Sequence, residues 1–400
     1  MSIDNATIGA RLQMARRALG VTQTDVARDM GMVTSTVSAI EAGKRAVSGT
    51  ELYSFAQIYK RPVAYFLEEE VPAASSGFQY LFRAVAEKLV DRDPIVQLEQ
   101  LAADYDILEE VVGAPPLPLP PNYSTFGFRT EQDAETLAEM ERARLGLGDA
   151  PVTGLVDLLD GTVGIRTFLM PVMNDNWSAV SVAGPSGRPC IAVNSKEPPY
   201  RRTWDLAHEY GHVLVHLFRQ GAPQARLDVA SDGGRMSADE RFVDHFASAF
   251  LMPRRAVFAQ LDLILKASAG RFTDFDLVHL AMHFGVSGQA MTTRLVTLRK
   301  ISRDVYEQYW RKGRRTFAAL AAMLGYTVDD PNGFWEAPVL LPARFRYLAV
   351  KAYEEDTISL AKLAELLRED YHELRQRVDD SMGPDRSTSA LALDVAIPRI

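Results

Sequence analysis

The apolar positions of the first 70 residues recur at helical spacing. Ile8, Leu12, Ala15 and Leu19 mark one face of a first helix, which Gly20 ends. Thr22 is placed to cap a second helix running to Met30, where Gly31 breaks it. Thr34 or Ser35 opens a third that ends near Gly43, and two further apolar-periodic segments follow at 51–59 and 63–67. A helix, a tight glycine turn and another helix can present the second helix to a DNA major groove. The run VPAASSG (71–77) has linker composition, 78–113 reads as helical, and APPLPLPPN (114–122) reads as a stiff polyproline-like spacer. A domain boundary is expected there. Beyond it, 131–145 is helical. TVGIRTFLM (162–170), SAVSVAG (178–184) and RPCIAVN (188–194) are short β-rich runs bounded by turn residues, which predicts a small sheet. From Tyr200 onward the period is helical again, and beyond Arg386 no period is clear.

Composition bounds what these elements can build. At roughly 150 residues per domain, 400 residues give two to three domains. A net charge of −8 excludes a wholly basic nucleic-acid coat but not a local basic face. Residues 1–45 carry six basic and four acidic side chains, +2, so the head is the electropositive part. Cys190 stands alone, which excludes an intrachain disulfide framework and any Cys-rich zinc module. No apolar run approaches the ~18 residues that span a membrane, and the N-terminal stretch lacks signal-peptide character. The expectation is a cytoplasmic protein with no membrane partner. Only seven histidines are present, so their clustering matters.

Three of them fall in HEYGHVLVH. On a helix, His208 and His212 lie one turn apart on one face, so both imidazoles can reach one Zn²⁺ ion. Glu209 sits where it can act as general base on a water. HExxH fixes only three positions and recurs by chance. Here, however, the flanking Leu206, Val213 and Leu217 make the helix apolar, and two histidines and a glutamate on a buried helix are costly without a partner. Gly211 allows a close approach by another backbone or a substrate. The segment 237–253 (SADERFVDHFASAFLMP) offers the third ligand. Glu240 is the leading candidate, with Asp244 one turn on to orient an imidazole and Asp239 as the competing ligand. His245 points elsewhere by helical angle. His216 lies about 12 Å along the axis from His208, too far for all three histidines to share an ion. It is expected beneath a ligand or facing substrate, and it shares with Tyr210 the role of candidate oxyanion donor. His279 and His283 form another i, i+4 pair without a suitably placed glutamate.

HEYGHVLVH, ERFVDHFASAFLMP and LVHLAMHFGVSGQAMTTRL together resemble the ImmA/IrrE family of metallopeptidases, over about 131–300. Glu240 falls on the family's glutamate ligand; Val243 and Phe250 depart from its usual alanine and leucine without touching a ligand. The N-terminal run, with Gln23, Ala27, Gly31, Val37, Ser38, Ile40, Glu41, Gly43, Lys44 and Arg45, resembles the XRE helix-turn-helix family. Thr34, Ser35, Thr36 and Ser38 are short hydroxyl side chains that could meet phosphates or base edges, and Gln23 opens a helix where a phosphate contact is natural. With Lys44 and Arg45, they are the candidate contacts to double-stranded DNA. A homodimer is expected, because one such helix reads too few base pairs for specificity.

Chains that join these two modules are known, and 1–300 looks like one. The region 340–378, with Ser359 as a cap, resembles the tail of such chains; its acidic residues favour packing or a protein contact over DNA. The resemblance implies a mainly α, multidomain fold. An all-α head (1–70) leads through a helical, proline-rich connector (71–122) to an α+β zincin-like, gluzincin-type domain (123–300) with a small sheet. A helical C-terminal region (301–400) follows. It implies a zinc endopeptidase that cleaves a regulatory protein of repressor or antitoxin type on a stress or phage signal. Two other readings stand beside it: a transcription regulator whose peptidase-like domain only senses, and a toxin–antitoxin component.

Overall fold

The structure is a computed structural model. It describes residues 4–18, 21–59, 61, 63–67, 93–171, 177–184, 186–217, 225–229, 237–312, 314–325 and 341–382. The expected linker at 71–77, the start of the predicted 78–113 helix, Leu19 and Gly20, and the tail beyond Arg386 lie outside these residues. The protein is mainly α-helical with one small sheet.

The head is five helices: α1 (Asn5–Ala18), α2 (Gln23–Asp29), α3 (Thr34–Glu41), α4 (Gly49–Tyr59) and the short α5 (Val63–Phe66). Thr22 caps α2 through a reciprocal box with Asp25, satisfying two backbone donors that the helix start leaves open. Leu12, Val26, Val37, Ile40, Phe55 and Tyr59 fill the core. Gly9 is required where α1 crosses α3, since a Cβ there would lie 2.4 Å from the Ile40 carbonyl oxygen.

Contacts divide the chain into two units, the head falling in the first. One joins Met1–Ala103 to Leu117–Pro342; the other joins Asp104–Pro116 to Ala343–Ile400. Helix α6 (Asp93–Val111) contributes to both. In the second unit, α15 (Ala343–Glu354), α16 (Leu360–Leu367) and α17 (Tyr371–Met382) pack around Phe345, Leu348, Leu363 and Leu366, and Ser359 caps α16 as expected.

The first unit holds the sheet. Strands β1 (Arg166–Met170), β2 (Trp177–Ala183), β3 (Pro189–Asn194) and β4 (Ala225–Val229) lie in the order β1-β3-β2-β4. Strand β3 runs parallel to β1, with Arg166 opposite Cys190, and antiparallel to β2, with Ala179 opposite Val193. Strand β4 pairs antiparallel with β2. It falls in the stretch expected to be helical throughout. Strand β1 begins four residues later than the β-rich run, because 159–163 form a wide helical turn and Gly164 follows at φ +82°. A Cβ on Gly164 would meet the Pro118 carbonyl oxygen at 2.2 Å. Leu117 O accepts from Arg188 at 2.6 Å, and the Tyr123 N–H donates to Leu214 O at 2.8 Å. The second half of the proline-rich segment is therefore docked on this unit, where a free-standing spacer was expected.

Helices α7 (Glu131–Arg144), α8 (Pro199–His212), α9 (Ala238–Leu251), α10 (Arg254–Ala267), α11 (Asp274–His283), α12 (Gly288–Thr297), α13 (Arg303–Lys312) and α14 (Arg314–Met323) complete the unit. Two buried arginines fix α9 to α7. Arg142 of α7 donates to Phe250 O at 2.5 Å. Arg294 of α12 donates to Met252 O at 2.9 Å and grips Glu135 of α7 through two bonds of 2.7 Å. The carbonyls at the C-terminal end of α9 are thus satisfied by charged donors. Among the described residues, no helix is long and apolar enough to cross a membrane.

Candidate metal centre

Helix α8 starts on Pro199 and is buried along its second half, from Asp205 to His212. It lies against β2, β3 and α9. The α8–α9 approach depends on Gly211: a Cβ there would meet Phe246 Cδ1 at 2.9 Å and Val243 Cβ at 3.2 Å. The close neighbour that Gly211 admits is therefore helix α9. Helix α9 is capped by Ser237, whose Oγ accepts from the Glu240 N–H at 3.1 Å. This places Asp239 and Glu240 in the first turn, where the helix dipole favours negative charge.

Across this contact, His208 Nε2, His212 Nε2 and Glu240 Oε2 converge. The separations are 3.2 Å between the nitrogens, 3.2 Å from His208 to Glu240 and 3.3 Å from His212 to Glu240. Three donors on a tetrahedral zinc ion at about 2.05 Å would stand about 3.3 Å apart. Two imidazole nitrogens and a carboxylate oxygen forming one such face fit Zn²⁺ in size and donor type. They are the one group of three or more metal-competent side chains found among the described residues.

The surroundings orient these donors. His208 Nδ1 lies 2.9 Å from Asp244 Oδ1, so its proton sits there and its Nε2 lone pair faces the triangle. His212 Nδ1 lies 2.9 Å from His216 Nδ1, and His216 Nε2 lies 3.6 Å from Asp239 Oδ1. Asp239, the competing ligand in the sequence, thus faces His216 and not the triangle. His216 and Asp239 also line a small cleft with Tyr123, Phe128, Val215 and Phe242. Glu209 is fully buried on the same helix. Burial alone would lower the His208 pKa. Hydrogen bonds to Asp244 and Glu240 and the charge of Glu209 reverse this and hold it well above the usual imidazole value. Burial would raise Glu240, yet His208 and His212 hold it below the usual carboxylate range. The cluster is built to stabilise positive charge, for which a proton and a metal ion compete.

Tyr210 is not at this site. Position 210 is two residues from His208, on the far side of the helix, and its ring is fully buried. Its hydroxyl donates to Glu141 and accepts from Arg144 Nη2 at 2.9 Å, so it has no role as an oxyanion donor. Tyr123 also donates to Glu141, at 2.8 Å. This Tyr123–Glu141–Arg144–Tyr210 network escaped the sequence reading. Glu141 and Arg144, at i, i+3, look like an ordinary solvated helix face. His245 is turned away from the triangle and faces Glu131 at 3.1 Å.

In the head, Thr34, Ser35 and Ser38 of α3 are exposed, as are Lys44 and Arg45, and Thr36 is half-buried. Arg45 pairs with Glu51 at 2.8 Å. Gln23 is otherwise engaged: its amide donates to Glu41 Oε2 at 2.8 Å, and Arg16 binds the same carboxylate at 2.6 and 2.8 Å. Glu41 is buried, so Gln23 and Arg16 satisfy a charge inside the head. The side-chain amide of Gln23, a candidate phosphate contact, is thus engaged within the head.

The model of the IrrE N-terminal-like domain, a peptidase family, matches residues 161–296, and a helix-turn-helix domain model matches 7–65. The chain joins a helix-turn-helix domain to an IrrE-like domain. The IrrE-like match spans the sheet, α8, α9 and all three converging donors. No curated protein matches the chain. Among solved structures, ComR from Streptococcus suis aligns over 95% of each chain at 10% identity, with a TM-score of 0.16 that carries no argument.

Proposed function

We propose that the IrrE-like domain is a zinc-dependent endopeptidase and that the head binds double-stranded DNA as a homodimer. The observation that carries the reading is the triangle of His208, His212 and Glu240 with a buried Glu209 on the same helix. These three would hold Zn²⁺, which when bound would supply the Lewis acidity that peptide hydrolysis needs. Asp244 keeps the His208 ring in its ligating tautomer. Glu209 takes a proton from the attacking water and returns it to the departing amine. The substrate class is a regulatory protein of repressor or antitoxin type, and the head meets its operator through Thr34, Ser35, Thr36, Ser38, Lys44 and Arg45.

The test is a matched pair of measurements on wild type and Glu209→Gln. Both are expected to hold one zinc ion, and only wild type is expected to cleave a partner regulator, with chelator abolishing the activity. Cleavage by Glu209→Gln at the wild-type rate would refute the mechanism. A regulator that only senses has no need of a general base, and the buried Glu209 favours the peptidase. Absence of product from wild type under every condition would favour the sensor.

A further inference from the structure

We infer that His216 and Asp239 are positioning residues for the metal ligand His212, forming a relay parallel to the one that Asp244 makes with His208. The inference rests on the zinc reading above. A neutral imidazole presents a lone pair from only one of its two nitrogens. His212 Nε2 lies in the donor triangle, so its proton belongs on Nδ1. That atom is 2.9 Å from His216 Nδ1, which must accept. The remaining proton of His216 then sits on Nε2, the atom that faces the Asp239 carboxylate at 3.6 Å, an electrostatic contact longer than a hydrogen bond. The direction of each contact follows from the one before it.

The geometry is held rigidly enough to matter. His216 is 5% exposed and sits in a wide helical turn, Val213–Leu217, that continues α8. Its ring stands edge-on to Phe242, with centroids 6.4 Å apart. The Tyr123 N–H takes the Leu214 carbonyl inside that turn. Helix α9 therefore supplies three carboxylates with three tasks. Glu240 reaches the metal directly, Asp244 sets one imidazole, and Asp239 sets the other through His216.

The test is zinc affinity of the full chain, by competition with a chromophoric chelator, for His216→Phe, His216→Asn and Asp239→Asn. Phenylalanine keeps the shape and removes the acceptor, and zinc affinity should fall about 10–100-fold. Asparagine places its amide oxygen where the Nδ1 lone pair sits, and affinity should return to near wild type. Asp239→Asn should weaken binding in wild type and have no further effect beside His216→Phe. It also keeps the test open should phenylalanine prevent folding. Unchanged affinity in His216→Phe, or asparagine no better than phenylalanine, would overturn the relay. If wild type itself takes up no zinc, the metal reading falls and the relay with it.

Discussion

Replacing Arg294 with methionine probes the joint that aims α9 at α8. Arg294 is 1% exposed, and its guanidinium satisfies both oxygens of Glu135 and the Met252 carbonyl. Methionine fills much of the volume but leaves a carboxylate that is 6% exposed and a carbonyl without its donor. Arg254 remains, 3.7 Å from Glu135 Oε1 but largely exposed, and it offsets little of the loss. Removing one partner of a buried pair costs about 3–5 kcal/mol, a large share of the roughly 5–15 kcal/mol that holds an ordinary domain folded. Replacing Glu135 with methionine as well removes the stranded charge and should recover most of that loss.

The pH dependence gives a second handle. Burial raises Glu135, but Arg294 and Arg254 outweigh it and hold its pKa below the usual value. In wild type the pair therefore stabilises above the unfolded carboxylate pKa, about 4.3, and the contribution fades as pH falls through the lower folded value. Without Arg294, burial dominates and raises the folded pKa, so the penalty is largest near neutrality. The gap between wild type and Arg294→Met should shrink between pH 7 and pH 4. Urea unfolding followed by circular dichroism and tryptophan fluorescence measures all three proteins. A loss under about 1 kcal/mol, a double variant no better than the single, or a gap independent of pH would refute the reasoning.

Three further outcomes follow from particular contacts. Asp244→Asn should lower zinc affinity about 10–100-fold in chelator competition, because the His208 ring loses a charged acceptor at 2.9 Å; unchanged affinity would contradict the orienting role. Gly211→Ala should destabilise by about 1–3 kcal/mol in thermal unfolding, since its methyl would stand 2.9 Å from Phe246 and 3.2 Å from Val243. Adding Val243→Ala should recover part of that, and no recovery would mean the helices separate by another route. Lys44→Ala should weaken DNA binding uniformly across sequences and reduce the salt slope of the affinity by about 1, measured by fluorescence anisotropy at several ionic strengths.

What could be read from the sequence was what local spacing encodes. His208 and His212 share a helix face because of their separation alone, and Glu240 stands in the first turn of a helix whose serine cap is visible in the chain. Contacts made across distance left no such mark. Gln23 is drawn inward by Glu41, eighteen residues on. Tyr210 looks like part of HEYGH until helical rotation carries it to Glu141. The proline-rich segment reads as a spacer because nothing near it announces Gly164, whose missing side chain gives Pro118 its seat. Strand β4 is five residues long, too short for its alternation to stand out beside the helical periods around it.

The three carboxylates that serve the donor triangle all come from the first two turns of α9. Helix ends are where fraying concentrates, since their first amides lack partners within the helix. Here the Ser237 hydroxyl accepts from the amide of Glu240, and the Ser237 carbonyl from that of Arg241. An ion held by His208, His212 and Glu240 would tie that opening turn to α8. On the zinc reading, ion binding would steady the turn, and amide exchange at residues 239–241 would slow as zinc is taken up.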